Sequence, residues 1–469
     1  MSYQLLIDGK LVDGASTLDV VNPATGAVFA TCARADEKQL EQAIAAAKRA
    51  FPAWASLSHA ERRDYLLRLA DAMEARQGEF AELLTREQGK PIAFATFEVT
   101  YSIGALRYFA EQDFPLETLR ETEDGRILEQ RTPLGVVGAI TPWNFPVALL
   151  LIKVGPALST GNTMIVKPAP TTPLTTALLG EIASGVLPPG VFNVIIDAND
   201  LGGKITSHPD VAKVTFTGSS ATGKRVMASA ADTIKRLTLE LGGNDAAVIL
   251  DDVDVEEVAP KVFTAAMLNS GQICLAAKRI YAPRTLYDAL CEALGKLAGQ
   301  AVVGDGLQEG TQIGPVQNKL QYEKVLGFIE GARSQGTVVA GGGALPQEGY
   351  FIQPTIIRDL PDDAPLVREE QFGPVVPVLA YDSIDEVIER VNSSEFGLGG
   401  TIWTSDADRG LEIALRIQSG TVWINKHLDM PYDAPYGGAK QSGFGRESGI
   451  EGMKEFTQSK IINIADKVA

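Results

Sequence analysis

Cysteine and histidine are scarce in this 469-residue chain, with three of each. Cys32, Cys274 and Cys291 are too few and too scattered for a disulfide framework, and His59, His208 and His427 show no ligand spacing. A metal site and a histidine-dependent triad are therefore poorly supported. Positive charge is in deficit as well: 42 Lys and Arg stand against 59 Asp and Glu, a formal charge of −17. That balance repels a phosphate backbone and excludes nucleic acid as the main partner. Nowhere do the roughly 18 uncharged apolar residues needed to cross a bilayer run together, and MSYQLLIDGKLVDG has no basic stretch before an apolar core. The expectation is a soluble cytoplasmic protein that does not engage a membrane. Also missing are fixed-period repeats, low-complexity tracts and, after any expected strand, the GxGxxG dinucleotide fingerprint.

What is present reads as a large globular α/β protein. The length exceeds the ~250–300 residues at which single cores stop growing, so more than one packed unit is expected. Short strands near Gln4–Ile7 and Val20–Asn22 precede helical periodicity from Glu37 to about Gln88, and a helix after Pro91 puts Phe97 and Tyr101 on one face. Core packing is the default for that pair. Glu117–Gln130, with Asp124-Gly125 near its centre, reads as a polar hairpin suited to pairing with another subunit.

Apolar strands then alternate with helices: Val136–Ile140, Met164–Lys167, Phe192–Ile196, Val214–Thr217 and Leu237–Leu241. A second series includes Arg279–Ala282, Val375–Tyr381, Thr401–Thr404 and Val422–Asn425. Such alternation means parallel sheets covered on both faces, in two halves with Cys274 near their join. The alternating tail Ser459–Val468 suits an edge strand, a second pairing device.

Four short segments carry potential chemistry. In Asn269–Leu275, NSGQICL, Cys274 offers a thiol nucleophile, Ser270 and Gly271 let another molecule come close, and Ile273 and Leu275 supply dry walls. A lone cysteine is also commonly a small buried hydrophobe. Phe216–Arg225 nearly matches a Walker A loop, but Arg225 replaces the metal-holding hydroxyl. What survives is a helix start at Ser219 and Ser220, suited to a diphosphate or to plain capping. LTLELGGN sends Glu240 to a strand end before two glycines that allow a sharp turn, where sites are built, although taken alone an exposed surface glutamate is the default reading. Asn144 in TPWNFP suits an oxyanion donor or a turn, and Lys167 in VKPAP a donor to a ligand or a solvated side chain.

Taken together, TPWNFP, VKPAP, FTGS, LELGGN, GQIC, EEQFGPV (Glu369–Val375) and PYGGAKQSGFGRE (Pro435–Glu447) resemble the aldehyde dehydrogenase superfamily over essentially the whole chain. The resemblance implies an α/β fold with two parallel-sheet domains, Rossmann-like for the cofactor (1–116 and 134–242) and catalytic (243–441). A small β oligomerisation element (117–133 and 442–469) would make a homodimer or homotetramer. It implies that Cys274 attacks an aldehyde, that Asn144 and the Cys274 N–H hold the oxyanion, and that Glu240 activates water against the thioester.

The cofactor would meet Ile140, Thr141 and Trp143 at its nicotinamide half, Lys167 at the adenosine ribose, Ser219 at the diphosphate, and Glu370 with Phe372 at the nicotinamide ribose. Lys153 and Glu447 match a proton path. The tunnel would comprise Phe97, Tyr101, Phe145, Leu149, Ile152, Ile273, Leu275 and Tyr436, with no arginine to pair a second carboxylate. A medium-chain aliphatic or aromatic aldehyde is the expected substrate, with a charged semialdehyde as the alternative. NAD-specific members often carry a glutamate three residues after the lysine; here Pro170 stands there, so NAD is expected with NADP tolerated. A CoA-acylating variant would not need Glu240, and a cysteine hydrolase would need a histidine that none of these motifs contains. A non-catalytic binding protein on the same fold is the remaining alternative.

Overall fold

Strands buried on both faces have no polar side to show, which is why Val136–Ile140 and Thr163–Lys167 are continuous runs with every residue buried. The computed structural model, which describes residues 3–465, places them at the centre of an eight-stranded sheet. Its order is Lys10–Val12, Leu5–Ile7, Phe192–Val194, Thr163–Lys167, Val136–Ile140, Val211–Thr217, Arg236–Glu240 and Gly443–Phe444. The five inner strands, from Phe192–Val194 to Arg236–Glu240, are parallel. The chain lays strands to one side of Val136–Ile140, then returns to build on the other. This reversal between Val136–Ile140 and Val211–Thr217 opens a crevice beyond their C-terminal ends.

A second sheet has seven strands in the order Thr337–Ala340, Thr355–Arg358, Val375–Tyr381, Ala277–Pro283, Asp245–Ile249, Gly399–Trp403 and Thr421–Ile424, all parallel except the first. Only Leu241–Asn244 separates Glu240, the last residue of one inner strand, from Asp245, the first of the next. The C-terminal edge of the first sheet therefore meets the N-terminal edge of the second. Strand ends of both kinds build the site.

The helical stretch from Glu37 is three helices, Glu37–Ser56, His59–Glu74 and Gln77–Gln88, the first two opened by capping boxes at Asp36 and Ser58. Ala148–Ser159 is buried at every position, a wholly internal helix. The hairpin forms from Glu117–Thr122 and Gly125–Pro133. Instead of standing apart as a second device, the tail strand Thr457–Ala465 pairs with Gly125–Pro133 along its full length, from Thr457 on Pro133 to Ala465 on Gly125. The last part of the expected tail strand, 466–468, lies outside the described residues. Asp245–Ile249, Thr355–Arg358 and the helix Lys319–Arg333 carry no expectation from sequence. Among the described residues no helix is long and apolar enough to cross a membrane.

Candidate active site

The Cys274 loop is held in an unusual backbone shape. After the helix Val255–Met267, Asn269, Ser270 and Gly271 take φ of +53°, +56° and +68° in succession. Left-handed non-glycine residues cost about 1 kcal/mol or more each, so the surroundings must hold them. Asn269 Nδ2 donates to the Asn144 carbonyl at 3.1 Å, and Ser270 Oγ to Gly314 O at 2.7 Å. Gln272 bridges the loop, donating from Nε2 to Asn269 O at 2.9 Å while its Oε1 accepts from the Gln317 N–H at 2.9 Å.

Gly271, expected to leave room above the thiol, serves another purpose, because a Cβ there would lie 2.2 Å from Gly373 O and 2.6 Å from Lys278 Nζ. Two neighbouring segments need that space. Ile273 and Leu275 do flank the thiol on the wall of a cavity, as expected.

Asn144 follows the central strand of the first sheet and is buried. Its Nδ2 donates to Gln272 O at 3.0 Å, and because a primary amide carries two N–H groups, one remains to be aimed elsewhere. The turn is clamped from behind by a buried pair that sequence reasoning did not single out, Lys90 with Glu98. Lys90 Nζ donates to Asn144 O at 2.8 Å, while Glu98 Oε1 accepts the N–H groups of Val147 and Ala148 at 3.0 and 3.1 Å. The asparagine is thus tied to the Cys274 loop on one side and to the start of a buried helix on the other.

Glu240 is 2% exposed, and neither carboxylate oxygen has a protein hydrogen-bond partner. Burial pushes it up to about 8; Lys153 and the approach of the Cys274 thiol, short of hydrogen-bond geometry, pull down, and Glu447 and Glu370 push further up. The Cys274 thiol is raised well above its ordinary value, first by burial and then by the negative charge of Glu240, Glu370 and Asp245. Burial also lifts Asp245 to about 8 and Glu370 to about 7. Asp245 is a member of the site that its sequence context gave no reason to pick.

The glycines of LELGGN serve contact, not a sharp turn. A Cβ on Gly243 would lie 2.2 Å from the Cys274 carbonyl oxygen, and one on Gly242 2.7 Å from Glu370 Oε2. Without those Cβ atoms the segment after Glu240 packs directly on the Cys274 backbone and on the Glu370 carboxyl.

Cys274 lies between two cavities. One, of about 380 Å³, is lined by all eight tunnel residues named above, together with Phe94, Met430 and Tyr432 among others. Phe97, at 60% exposure, stands at its mouth and not in the core. The other, of about 170 Å³, is lined by Trp143, Ser219, Glu370 and Phe372 as expected, and also by Glu240, Gln321 and Lys324. Gln321 and Lys324, on the unexpected helix, hold the loop before Val375 through the carbonyls of Gln371, Phe372 and Glu370. Trp143 and Phe372 meet edge to face at 5.2 Å.

Ser219 is a true N-cap of Ser220–Ala230, accepting from the Thr222 N–H, so its hydroxyl is engaged; the helix's first N–H groups have no intrahelical partner. Ile140, Thr141 and Lys167 do not line either cavity. Thr141 is buried with its hydroxyl unpartnered, and Ile140 is buried beside it. Lys167, expected to offer a free donor, is ion-paired with Asp197 at 2.7 Å, the two side chains 4% and 0% exposed. Lys153 and Glu447 pair at 2.5 Å, both buried.

His427, although outside the sequence motifs, reaches the Cys274 loop. Its Nε2 donates to the Leu275 carbonyl at 2.6 Å, and burial holds the ring down to about 4. Its other nitrogen, Nδ1, is buried without a hydrogen-bond partner and so is not engaged with the thiol, and a ring held down to about 4 is a weak base.

Comparison with known proteins agrees over the full length. The model of the aldehyde dehydrogenase family matches residues 11–462. The mitochondrial succinate-semialdehyde dehydrogenase of Arabidopsis thaliana is 39% identical across 99% of this chain and 89% of its own. The betaine aldehyde dehydrogenase of Rhizobium etli is 38% identical across 98% and 96%. The NAD+ complex of the Bacillus cereus aldehyde dehydrogenase superposes with a TM-score of 0.97 at 38% identity, covering 100% of this chain and 97% of that one.

Proposed function

The chain belongs to the aldehyde dehydrogenase family, and from that premise we propose that it oxidises a medium-chain aliphatic or aromatic aldehyde to the carboxylic acid with NAD, tolerating NADP. One observation carries the reading: a single thiol is common to an apolar cavity and a polar one, with an asparagine amide and an unpartnered carboxyl beside it. A non-catalytic role would leave that arrangement without a use.

The polar cavity fits a dinucleotide. A helix start next to Ser219 suits the diphosphate, Glu370 keeps a second oxygen for a ribose hydroxyl, and the perpendicular rings of Trp143 and Phe372 give an apolar corner beside it. Ile140, Thr141 and Lys167 would complete the contacts. When bound, the oxidised nicotinamide supplies the hydride acceptor.

Cys274 forms the C–S bond to the aldehyde carbon as its thiol proton leaves to water, and the free N–H of Asn144 with the Cys274 N–H steadies the oxygen, which takes the C=O pair and gains charge. When that oxygen re-forms the C=O bond, the former aldehyde hydrogen leaves with its electron pair as hydride, and a thioester on Cys274 remains. Glu240 then takes a proton from the water that breaks the C–S bond, and Lys153 with Glu447 receives it. Asn144→Ala is expected to lower kcat/KM by about 10²–10³-fold with little change in cofactor binding. Matched steady-state rates and NADH titrations check this; an unchanged kcat/KM would remove Asn144 from the mechanism.

Cofactor choice turns on Asp197. Pro170 removes one carboxylate that would repel a 2′-phosphate, but the Asp197–Lys167 ion pair neutralises the cation that such a phosphate would seek. NAD is therefore preferred and NADP accepted less well. In Asp197→Asn the NADP-to-NAD ratio of kcat/KM should rise about tenfold, equivalent to about 1.4 kcal/mol. A ratio that does not move would dissociate this pair from cofactor choice.

The ionisable side chains among the residues lining the 380 Å³ cavity include Glu98, already bound to Lys90, and Asp429, with no arginine or lysine. A substrate carboxylate would lose its water and find no partner. Hexanal and benzaldehyde should exceed succinic semialdehyde in kcat/KM by about tenfold or more, and the reverse order would overturn the substrate assignment. The Tyr101–Tyr432 wall, rings 4.8 Å apart, supports one competing substrate, a quaternary-ammonium aldehyde, although Asp429 at the same cavity is already paired with Lys426 at 2.6 Å. Betaine aldehyde belongs in the same panel. The outer hairpin strand Glu117–Thr122 is exposed at all six residues, an open edge that supports assembly as a homodimer or homotetramer.

A further inference from the structure

We propose that the proton taken up at Glu240 reaches bulk solvent through Lys213, Thr238 and Glu455, which continue the Lys153–Glu447 pair along one face of the first sheet. The proposal rests on the reading of Glu240 as the base of thioester hydrolysis.

Strand alternation puts Lys213, Thr215 and Thr217 on one face, and the parallel register sets them beside Arg236, Thr238 and Glu240. Val214, Phe216, Leu237 and Leu239 point the other way. The result is a buried polar stripe leading from Glu240 across the interior of an otherwise apolar sheet. Burying such groups is costly unless they are hydrogen-bonded. Thr215 Oγ1 donates to Glu447 Oε1 at 3.3 Å, joining the stripe to the Lys153–Glu447 pair. Lys213, two residues before Thr215 on the same strand, feels the Glu447 charge without a direct hydrogen bond to it; its Nζ donates to Thr238 Oγ1 on the neighbouring strand at 2.6 Å, and Thr238 Oγ1 donates to Glu455 Oε2 at 3.4 Å. Glu455, 3.9 Å from Lys213 Nζ and 29% exposed, is where the stripe meets water.

Lys213 itself is fully buried beneath the Phe456 ring, 4.9 Å away, and its nearest carboxylate, Glu455, stands at the long distance of 3.9 Å. Burial brings it down to about 8, with Lys153 and Arg236 lowering it and Glu455 and Glu447 opposing. An ammonium poised there exchanges its proton near neutral pH. The balance requires an exit. Water's oxygen bonds to the acyl carbon as the C–S bond breaks, the sulfur leaves with the bonding pair and regains a proton, and the product leaves as a carboxylate. One net proton remains to be released.

The test isolates that step. Cys274 is acetylated with p-nitrophenyl acetate, and acetate release from the acetyl-enzyme is followed against pH in the parent protein and in Glu455→Gln, Lys213→Met and Lys213→Arg. The expected result is an unchanged nitrophenolate burst in every variant, and deacetylation slowed about tenfold with an altered pH profile. Arginine keeps the charge but cannot give up its proton, so Lys213→Arg should be as slow as Lys213→Met. Because Glu455 meets solvent, added imidazole should restore Glu455→Gln. Unchanged deacetylation in Glu455→Gln and Lys213→Met, failure of imidazole to restore, or full activity in Lys213→Arg each overturns the route. Absence of a burst in the parent would instead overturn the assignment of Cys274, and the route with it.

Discussion

Cys274→Ala is expected to reduce aldehyde-dependent formation of reduced nicotinamide to background, a loss of at least about four orders of magnitude. No other thiol can substitute. Cys32 and Cys291 are buried away from both cavities, and burial pushes each up to about 12. Nor does His427 make a second base and nucleophile pair, since its ring is held down to about 4 and its Nδ1 bonds to no nucleophile. Alanine removes only the sulfur from a wall built of Ile273, Leu275 and Phe145, so the fold and the cofactor cavity should survive. Titration with NADH checks that they do. Appreciable turnover in a variant that still binds NADH would mean that the hydride is delivered without a covalent intermediate.

Glu240→Gln should separate the two halves of the reaction. The amide is close in size to the carboxyl and cannot take a proton, so one equivalent of reduced nicotinamide should form at near-normal rate while steady turnover falls by about 10²–10⁴-fold. The parent enzyme supplies an independent sign. Burial has raised this carboxyl to about 8, so below that pH the base is protonated and idle. Deacylation should therefore rise with pH up to about 8 and level off above it, and in Glu240→Gln the rise should vanish. A variant in which the burst and steady turnover fall together would place Glu240 in the first half of the reaction instead.

Much of the fold was legible because doubly covered strands must be apolar throughout. Val136–Ile140 and Val375–Tyr381 fall where their apolar runs end. Asp245–Ile249 escaped because its run opens with an aspartate and two alanines, and Thr355–Arg358 because it spans four residues. The helix Lys319–Arg333 did carry a signal, Asn318 as cap with Tyr322, Val325, Leu326 and Ile329 on one face.

At the site, residues at strand ends could be found and their partners could not. Asn144, Glu240 and Cys274 converge as expected, but the Lys90–Glu98 clamp and the Asp197–Lys167 pair join segments whose encounter only tertiary structure decides. The glycines were recognised and their reason misjudged. Gly243 and Gly271 give close approach to backbone carbonyls, a requirement visible only once the second segment is in place.

The most direct measurement is on the acyl-enzyme itself. Glu240→Gln mixed with NAD and hexanal, quenched in acid within the burst and analysed by intact mass and peptide mapping, should carry one hexanoyl group per chain, confined to the peptide containing Cys274. Reduced nicotinamide forming in the burst with no acyl group on the protein, or an acyl group at Cys32 or Cys291 instead, would contradict the mechanism.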